Sequence, residues 1–349
     1  MTHVIKANHR GSIIGLFISL ILLIGCQQHP INQALVQQNF HQFAFGLPAE
    51  QHLAKLPGIG HSVKKIGCYA EYTTWVFTRN SGIRTGSDFT ILSSQAVRVI
   101  RTPESVIGTA TILSYSTNKV LAVTCAHVVD FPDTVYTYHE ADITGEPLIY
   151  TASIKKSQIN YVKEVPVAGG LKILAIDKQA DLVLLGGTLS QGLVKPPALP
   201  IRIGDSREIT EGNRAWVFGF PIGYMMMTEA LVNGLNVDRR GSFMLDAVFN
   251  PGFSGGLTLT FNVSRQQFEV SGFGRSAPSS TQLILTPAGI PGIDKYAPME
   301  PYTDKVFVQQ RSELAYGLTF VTPSEALLKL INENKDKLIN EGYDLNFLE

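Results

Sequence analysis

The chain has 349 residues, 17% of them charged, and its 29 lysines and arginines balance 29 aspartates and glutamates. Because binding to a phosphate backbone requires an excess or a stripe of basic residues, this balance argues against a nucleic-acid-binding protein. Three widely separated cysteines (Cys26, Cys68 and Cys125) exclude a disulfide-dense scaffold and a cysteine zinc cluster. The sequence predicts neither a metal site nor a cofactor.

The first 25 residues have the pattern of a bacterial lipoprotein signal peptide. Lys6 and Arg10 precede Ser12–Gly25, a run without charged residues that is shorter than the roughly 20 apolar residues of a membrane-spanning helix. The run ends in Leu-Ile-Gly directly before Cys26, which resembles the lipobox at which cleavage leaves a lipid-modified cysteine. We therefore expect Cys26 to carry acyl chains such as palmitate and to anchor the protein in the cell envelope. An ordinary secretory signal and an uncleaved anchor are the alternatives.

Residues 26–42 are rich in Gln and Asn and have no charged residue apart from His, which predicts a tether. Gln27, and not Asp, follows the cysteine. In a host with two membranes this resembles the pattern of outer-membrane lipoproteins that face the periplasm. Residues 43–84 are assigned to an N-terminal extension, in which Tyr69–Phe77 has the composition of an added strand pair.

From residue 69 onward the sequence consists mainly of short apolar or alternating runs separated by Gly, Pro, Asn, Asp and Ser. This spacing predicts an all-β protein with an antiparallel barrel or sandwich. Examples of predicted strands are Tyr72–Thr78, Gly108–Leu113, Val120–Thr124, Lys172–Ile176, Leu182–Leu185, Trp216–Phe220, Phe243–Val248, Leu257–Phe261, Phe268–Ser271 and Gly317–Val321. Residues 275–304 are predicted to form a surface loop.

One helix is expected near the C-terminus. Residues 322–325 have the form of a capping box with Pro323 at the first helical position, and leucines and isoleucines follow at helical spacing up to Gly342.

Three short motifs carry candidate chemistry: His127 at the end of an apolar strand, Asp181 at the start of another, and Ser254 in a loop flanked by glycines. Taken singly, such residues are more often structural, as a hydrogen-bonded core histidine and two turn residues. Taken together, they suit nucleophilic catalysis. A serine hydroxyl needs an adjacent base, an imidazole can accept its proton and pass it to the leaving amine, and a carboxylate orients the imidazole.

The glycines around Ser254 point to the same chemistry. They let the backbone turn sharply, so that the N–H groups of Gly252 and Ser254 can face one point and form an oxyanion hole. The segment also fits the G-x-S-x-G nucleophile elbow of α/β-hydrolases, whose histidine follows the serine. None of the eight histidines follows Ser254, which excludes that fold and leaves the order His, Asp, Ser.

In this order the chain resembles chymotrypsin-fold serine proteases of the bacterial HtrA/Deg type. Residues 124–129 match the T-x-x-H-V-V segment of that family, and residues 181–185 resemble its D-L-A-L-L segment. Residues 246–256 match D-A-A-I-N-P-G-N-S-G-G, and residues 317–324 resemble G-F-A-I-P-S. The resemblance implies two six-stranded antiparallel β-barrels, at 85–192 and 193–322, and a C-terminal helix and tail at 323–349. It also implies a serine endopeptidase with His127, Asp181 and Ser254 as the triad.

Two departures from the family pattern matter. Phe253 stands where the family has Asn and the digestive enzymes have Asp. Because no carboxylate is present at this position to receive a freed N-terminal amine, activation by that route is not expected. We also expect no PDZ domain after the C-terminal helix.

Alignment on the nucleophile implies a substrate pocket with Val248 at its floor and Ser271, Gly272, Phe273 and Gly274 along its wall. Since Val248 is uncharged, an apolar substrate side chain is expected there, although Arg275 beyond the wall offers a site for an acidic one.

A bridge between Cys68 and Cys125 is left open. The expected partners are a protein or peptide substrate and, through Cys26, a membrane; oligomerisation is left open. The alternatives to a protease are a catalytically silent module that binds peptides or scaffolds envelope proteins, and a hydrolase of small esters.

Overall fold

The computed structural model describes residues 47–139, 147–190, 195–248, 250–276, 279–287, 306–314 and 317–348. All of them belong to one compact unit, Gln42–Glu349. The predicted signal peptide, the lipidation site Cys26 and the tether lie outside the described residues. Among the described residues, no helix combines the length and apolar character needed to cross a bilayer.

Seven antiparallel strands form the first sheet, in the spatial order β4-β5-β1-β2-β3-β7-β6. They are β1 (Val63–Val76), β2 (Arg98–Tyr115), β3 (Lys119–Thr124), β4 (Thr134–Tyr138), β5 (Ile149–Val162), β6 (Lys172–Asp177) and β7 (Leu182–Thr188). Strand β1 buries every second side chain through much of its length, including Ile66, Cys68 and Ala70. This period of two is that of a strand with one face on a core.

The first sheet has one strand more than the six expected and is not a closed barrel among the described residues. Strand β1 pairs with β2 along its whole length, from Val63 opposite Thr111 to Val76 opposite Arg98. The boundary expected at residue 85 therefore falls between two paired strands of one sheet. The predicted strand Gly108–Leu113 lies in the second half of β2, so the sheet begins one strand earlier in the chain, with β1.

Six strands form a closed barrel in the order β10-β15-β12-β11-β8-β9, which confirms the second predicted barrel. They are β8 (Arg214–Gly219), β9 (Met226–Gly234), β10 (Phe243–Leu245), β11 (Gly256–Asn262), β12 (Gln267–Ser276) and β15 (Thr319–Pro323). Its interior is filled by apolar side chains such as Val217, Val232, Phe243 and Val321. A closed barrel has no free strand edge.

Short helices connect the strands or flank them. They are α1 (Glu50–Leu53), α2 (Leu56–Gly60), α3 (Phe89–Gln95), α4 (Ala126–Val129), α5 (Ser324–Glu333) and α6 (Lys335–Asn340), with 3-10 turns at Arg79–Ser81, Ser206–Glu208, Pro221–Gly223 and Asn346–Leu348.

One apolar core joins the sheet, the barrel and the C-terminal helix. Leu121 of the first sheet, Phe218 of the barrel and Leu327 of α5 belong to the same buried cluster. Since each of these side chains is at most 2% exposed, the cluster fixes the sheet and the barrel against each other.

The C-terminal helix is confirmed, but its predicted capping box is wrong. Helix α5 begins at Ser324, and Pro323 precedes it without a side-chain cap. Thr322 lies in strand β15, and its hydroxyl donates to the carbonyl of Ala180 (2.8 Å). The Glu325 carboxylate accepts from the backbone N–H of Ser206 (2.7 Å) instead of capping its own helix. The side chains of Thr322 and Glu325 therefore bind residues elsewhere in the chain and do not cap α5.

Part of the predicted surface loop 275–304 is a hairpin. Strand β13 (Ser279–Pro287) pairs with β14 (Val306–Leu314) in a separate two-stranded sheet. Leu283 and Leu285 are 73% and 69% exposed, in keeping with a position on the surface. Residues 288–304 lie outside the described residues.

Candidate active site

His127 lies in α4, directly after strand β3, where the chain leaves the first sheet. Its ring Nδ1 is 2.7 Å from Asp181 Oδ2, and its backbone N–H donates to Asp181 Oδ1 (2.9 Å). The two contacts fix both the ring and the main chain of His127 on one carboxylate. The side chain is 46% exposed, so the imidazole remains accessible to solvent.

Asp181 precedes strand β7, which pairs with β3. Its backbone has φ 57°, in the left-handed region that aspartate adopts more readily than most residues. Its carbonyl accepts from the N–H of Ala126 (3.2 Å), and its side chain is 16% exposed. The main chain of Asp181 is thus held by Ala126, and its carboxylate is bound by His127 and largely shielded from water, an arrangement suited to orienting an imidazole.

Ser254 lies in the turn between Pro251 and Gly256, immediately before strand β11. Its Oγ is 2.8 Å from His127 Nε2. Gly255 has φ 85°, and a Cβ there would lie 2.1 Å from the carbonyl oxygen of Thr109, so only glycine fits. In the structure, His127 is therefore within hydrogen-bonding distance of both other residues of the predicted triad, Asp181 on one side of its ring and Ser254 on the other.

The two predicted oxyanion donors lie on the same turn. The backbone N–H groups of Gly252 and Ser254 have no acceptor among the described residues, so both can donate to a ligand. Gly252 has φ 98°, and a Cβ at this position would lie 2.4 Å from the carbonyl oxygen of Phe220. The turn therefore requires glycine here as well.

Thr109 of strand β2 is a residue that the sequence motifs did not single out. It is fully buried, and its N–H donates to the carbonyl of Ser254 (2.8 Å). Its hydroxyl donates to the carbonyl of Gly252 (2.8 Å) and accepts from the N–H of Phe220 (2.9 Å). One side chain of the first sheet thus holds the nucleophile turn of the second barrel. The sequence feature that could have identified Thr109 is a hydroxyl inside a predicted apolar strand, because such a group needs a hydrogen-bond partner when it is buried.

The predicted substrate pocket is only partly open. Val248 is 54% exposed, whereas the side chains of Ser271 and Phe273 are buried. The Ser271 hydroxyl donates to Thr258 within the barrel (3.1 Å), and a Cβ at Gly272 would lie 2.3 Å from the carbonyl of Thr322. The side chains of Ser271 and Phe273 are therefore not available to a substrate, and the pocket formed by Val248 and residues 271–274 stays a prediction. Phe273 belongs to the buried cluster that joins the sheet, the barrel and α5.

The part of strand β12 nearest the nucleophile lies further along the chain. The Gly274 carbonyl accepts from the N–H of Gly255 (2.8 Å), and the Arg275 carbonyl is 3.5 Å from Ser254 Oγ. The Arg275 guanidinium is 3.4 Å from the carboxylate of Asp238. It is therefore already paired within the protein, which weakens the alternative of an acidic substrate side chain at Arg275.

Cys125 lies behind the triad. It is fully buried, and its Sγ is 3.4 Å from the carbonyl of Gly274. Burial raises its pKa well above the usual value, and the charge of Asp181 adds to this effect. Cys68 is buried and free as well, so the bridge between the two cysteines that the sequence left open is not formed.

Cys125, His127 and Asp181 form a group of three metal-ligating side chains, with ligand atoms within 4.8 Å of one another. Two of these side chains are hydrogen bonded to each other, and burial raises the pKa of the thiol, which disfavours the thiolate that a metal ion requires. The group is therefore better suited to proton transfer than to holding a metal ion.

One family model agrees with this architecture. Residues 108–262 match the family described as trypsin-like peptidase domain. Among solved structures, the chain is similar to an HtrA-type protease, AlgW, determined with a tripeptide. The two are 16% identical with a TM-score of 0.37, and the match covers 76% of this chain and 59% of the other. No curated protein sequence matches at a significant level. The match over residues 108–262, together with the closed six-stranded barrel and the seven-stranded sheet, supports a trypsin-like fold.

Proposed function

We propose that the protein is a serine endopeptidase that cleaves peptide bonds through an acyl-enzyme. The observation that carries this proposal is the chain of short contacts from Asp181 to His127 (2.7 Å) and from His127 to Ser254 (2.8 Å). Each contact has the length of a hydrogen bond, and the order along the chain of contacts is that required for activating a hydroxyl.

In the proposed reaction, Ser254 Oγ attacks the carbonyl carbon of the scissile peptide bond while His127 Nε2 takes the hydroxyl proton. The C–N bond then breaks, and the proton passes from His127 to the leaving amine. Water, deprotonated by His127, hydrolyses the ester on Ser254 and regenerates the enzyme. Asp181 holds the imidazole in the required tautomer and stabilises the imidazolium during both steps.

The N–H groups of Gly252 and Ser254 are assigned to the oxyanion. Support comes from their lack of a protein acceptor among the described residues. Donors fixed in advance stabilise the charge that develops on the carbonyl oxygen without having to reorient. The exposed, uncharged Val248 favours an apolar substrate side chain near the cleft, which a cleavage profile on a peptide library would test.

We further propose that the protein works while anchored to the cell envelope through acylated Cys26. The support is the sequence pattern of residues 1–26. In this arrangement the substrates are proteins or peptides of the envelope.

The decisive experiment is labelling by a fluorophosphonate probe, which reacts with an activated serine. The native chain is expected to be labelled on Ser254, and the Ser254→Ala variant to stay unlabelled. Parallel assays on casein and on a short-chain ester distinguish an endopeptidase from an esterase. A native chain that binds peptides but is labelled under no condition would instead be a catalytically silent binding module.

A further inference from the structure

Ile222 has an unusual backbone for its residue type. It lies in the turn Pro221–Gly223 with φ 47° and ψ 23°, in the left-handed region. Among the described residues it is the one β-branched residue with a positive φ. A β-branched side chain crowds its own backbone in this region, so surrounding contacts must impose the conformation.

Side-chain packing does not account for it, because Ile222 is 74% exposed. The contacts that hold the turn are backbone hydrogen bonds. Within the turn, the N–H of Gly223 donates to Phe220 (3.0 Å), and the N–H of Tyr224 donates to Pro221 (3.1 Å). The third bond leaves the turn: the N–H of Ile222 donates to the carbonyl of Pro251 (2.8 Å).

That carbonyl belongs to the same peptide unit as the N–H of Gly252. In a planar trans peptide the C=O and the N–H point in opposite directions. Holding the Pro251 oxygen at Ile222 therefore fixes the direction of the Gly252 N–H, the first of the two proposed oxyanion donors. The hydroxyl of Thr109 holds the following carbonyl, that of Gly252 (2.8 Å), so the two peptide units next to Gly252 are secured from different elements.

We propose that Ile222 is a positioning residue, whose backbone N–H, presented by the left-handed turn, keeps the Gly252 N–H turned toward the oxyanion. This inference rests on the proposed peptidase function. If the turn relaxed to a negative φ, the Ile222 N–H would release Pro251 and the peptide unit would be free to rotate its N–H out of the hole. The strain at Ile222 opposes the competent turn, so the residue at this position sets the balance between the two states.

Substitutions at Ile222 test two features separately: the backbone N–H that binds Pro251 and the left-handed backbone conformation. Ile222→Gly and Ile222→Asn keep the N–H and accept a positive φ with less strain, and are expected to be labelled by the fluorophosphonate at or above the native rate. Ile222→Pro removes the N–H and fixes φ near −65°, and is expected to be labelled roughly 100-fold more slowly. Ile339→Asn, a half-exposed isoleucine of α6, is the matched control.

Two further readouts distinguish positioning from loss of structure. Because Ile222 acts on the oxyanion, the Pro variant should lose kcat on a peptide substrate while KM stays within about twofold. If the Pro variant does not fold, Gly223→Ala tests the same turn. Gly223 has φ 89°, and the nearest atom to a Cβ there lies 3.8 Å away, so alanine brings backbone strain without a clash. This variant should also be labelled more slowly.

Labelling of a folded Ile222→Pro or Gly223→Ala variant at the native rate would overturn the positioning role, as would slow labelling of Ile222→Gly. In those cases a labelled native chain would leave the peptidase function standing. A native chain that is not labelled on Ser254 would instead count against the peptidase function itself.

Discussion

The hydroxyl of Thr109 donates a hydrogen bond to the carbonyl of Gly252 (2.8 Å), although 143 residues separate them in the chain. Strand β2 of the first sheet thereby holds the turn that carries the nucleophile. The same side chain thus contributes both to the contact between the sheet and the barrel and to the geometry of the candidate oxyanion hole.

The first prediction concerns this hydroxyl. Thr109→Val keeps the shape of the side chain but leaves the Gly252 carbonyl and the Phe220 N–H without their partner, which we expect to destabilise the fold by about 1–3 kcal/mol. Labelling of Ser254 should slow by at least tenfold, and Thr109→Ser should restore most of it. Urea unfolding and labelling rates measure the two effects. A Val variant as stable and as reactive as the native chain would show that the contact is dispensable.

The second prediction concerns the orienting carboxylate. Asp181→Asn keeps the size of the side chain but favours the wrong imidazole tautomer, and kcat on a peptide substrate should fall about 10⁴-fold. Asp336→Asn, on helix α6, is the matched control and should leave kcat unchanged. A drop in thermal stability that parallels the loss of kcat in Asp181→Asn would point to a structural role instead.

His127 and Asp181 could be located from the sequence because each lies next to a strand with a continuous apolar run, such as Leu182–Leu185, that is buried on both faces. Ser254 could be located by the glycines that flank it. Strand β5 (Ile149–Val162) was harder to identify, since many of its side chains are exposed or half-exposed and it includes Lys155 and Gln158. Apolar composition marks a strand well only where both of its faces are covered.

The contacts that surround the triad could not be predicted from the sequence. Phe273 was assigned to a pocket wall, but the sequence does not show which face of a strand is buried, and strand β12 changes register near Gly274. The role of Thr109 depends on Phe220 and Gly252, which are far away in the chain. The left-handed backbone conformation of Ile222 results from backbone hydrogen bonds. Because isoleucine disfavours this conformation, the residue type gave no indication of it.

The third prediction is a pH dependence of stability at Glu269. Burial of its carboxylate raises the pKa, but hydrogen bonds from Arg265, Gln267 and Asn262 outweigh this effect and lower it overall. Because the pKa is lower in the folded than in the unfolded chain, the carboxylate stabilises the fold above its unfolded value of about 4.5. That contribution disappears as the pH falls through the folded pKa.

Glu269→Gln should therefore be less stable than the native chain at pH 7, and the difference should shrink between pH 4 and pH 2. Urea unfolding at several pH values measures it. Glu333→Gln, an exposed glutamate of α5, is the control and should show little difference at any pH. A constant difference across this range would mean that the charge of Glu269 is not what stabilises the fold.

The fourth prediction is that the two buried thiols resist alkylation. Burial raises the pKa of Cys68 to about 12 and that of Cys125 well above its usual value, so neither is a thiolate at pH 8. Mass spectrometry after iodoacetamide treatment should find both unmodified in the folded chain and alkylated in urea. Rapid alkylation of Cys125 in the folded state would show that the back of the triad opens to solvent.

The fifth prediction concerns the membrane anchor. If Cys26 is acylated, cells given an alkyne analogue of palmitate should incorporate it into the native chain, which should partition into a detergent phase. Cys26→Ala should lose both properties, whereas Cys68→Ala, which leaves the signal segment unchanged, should keep them. A Cys26→Ala variant that stays in the membrane without acylation would indicate an uncleaved anchor, since the apolar run would then hold the chain by itself. A native chain that is processed but recovered in the soluble fraction would indicate an ordinary secretory signal.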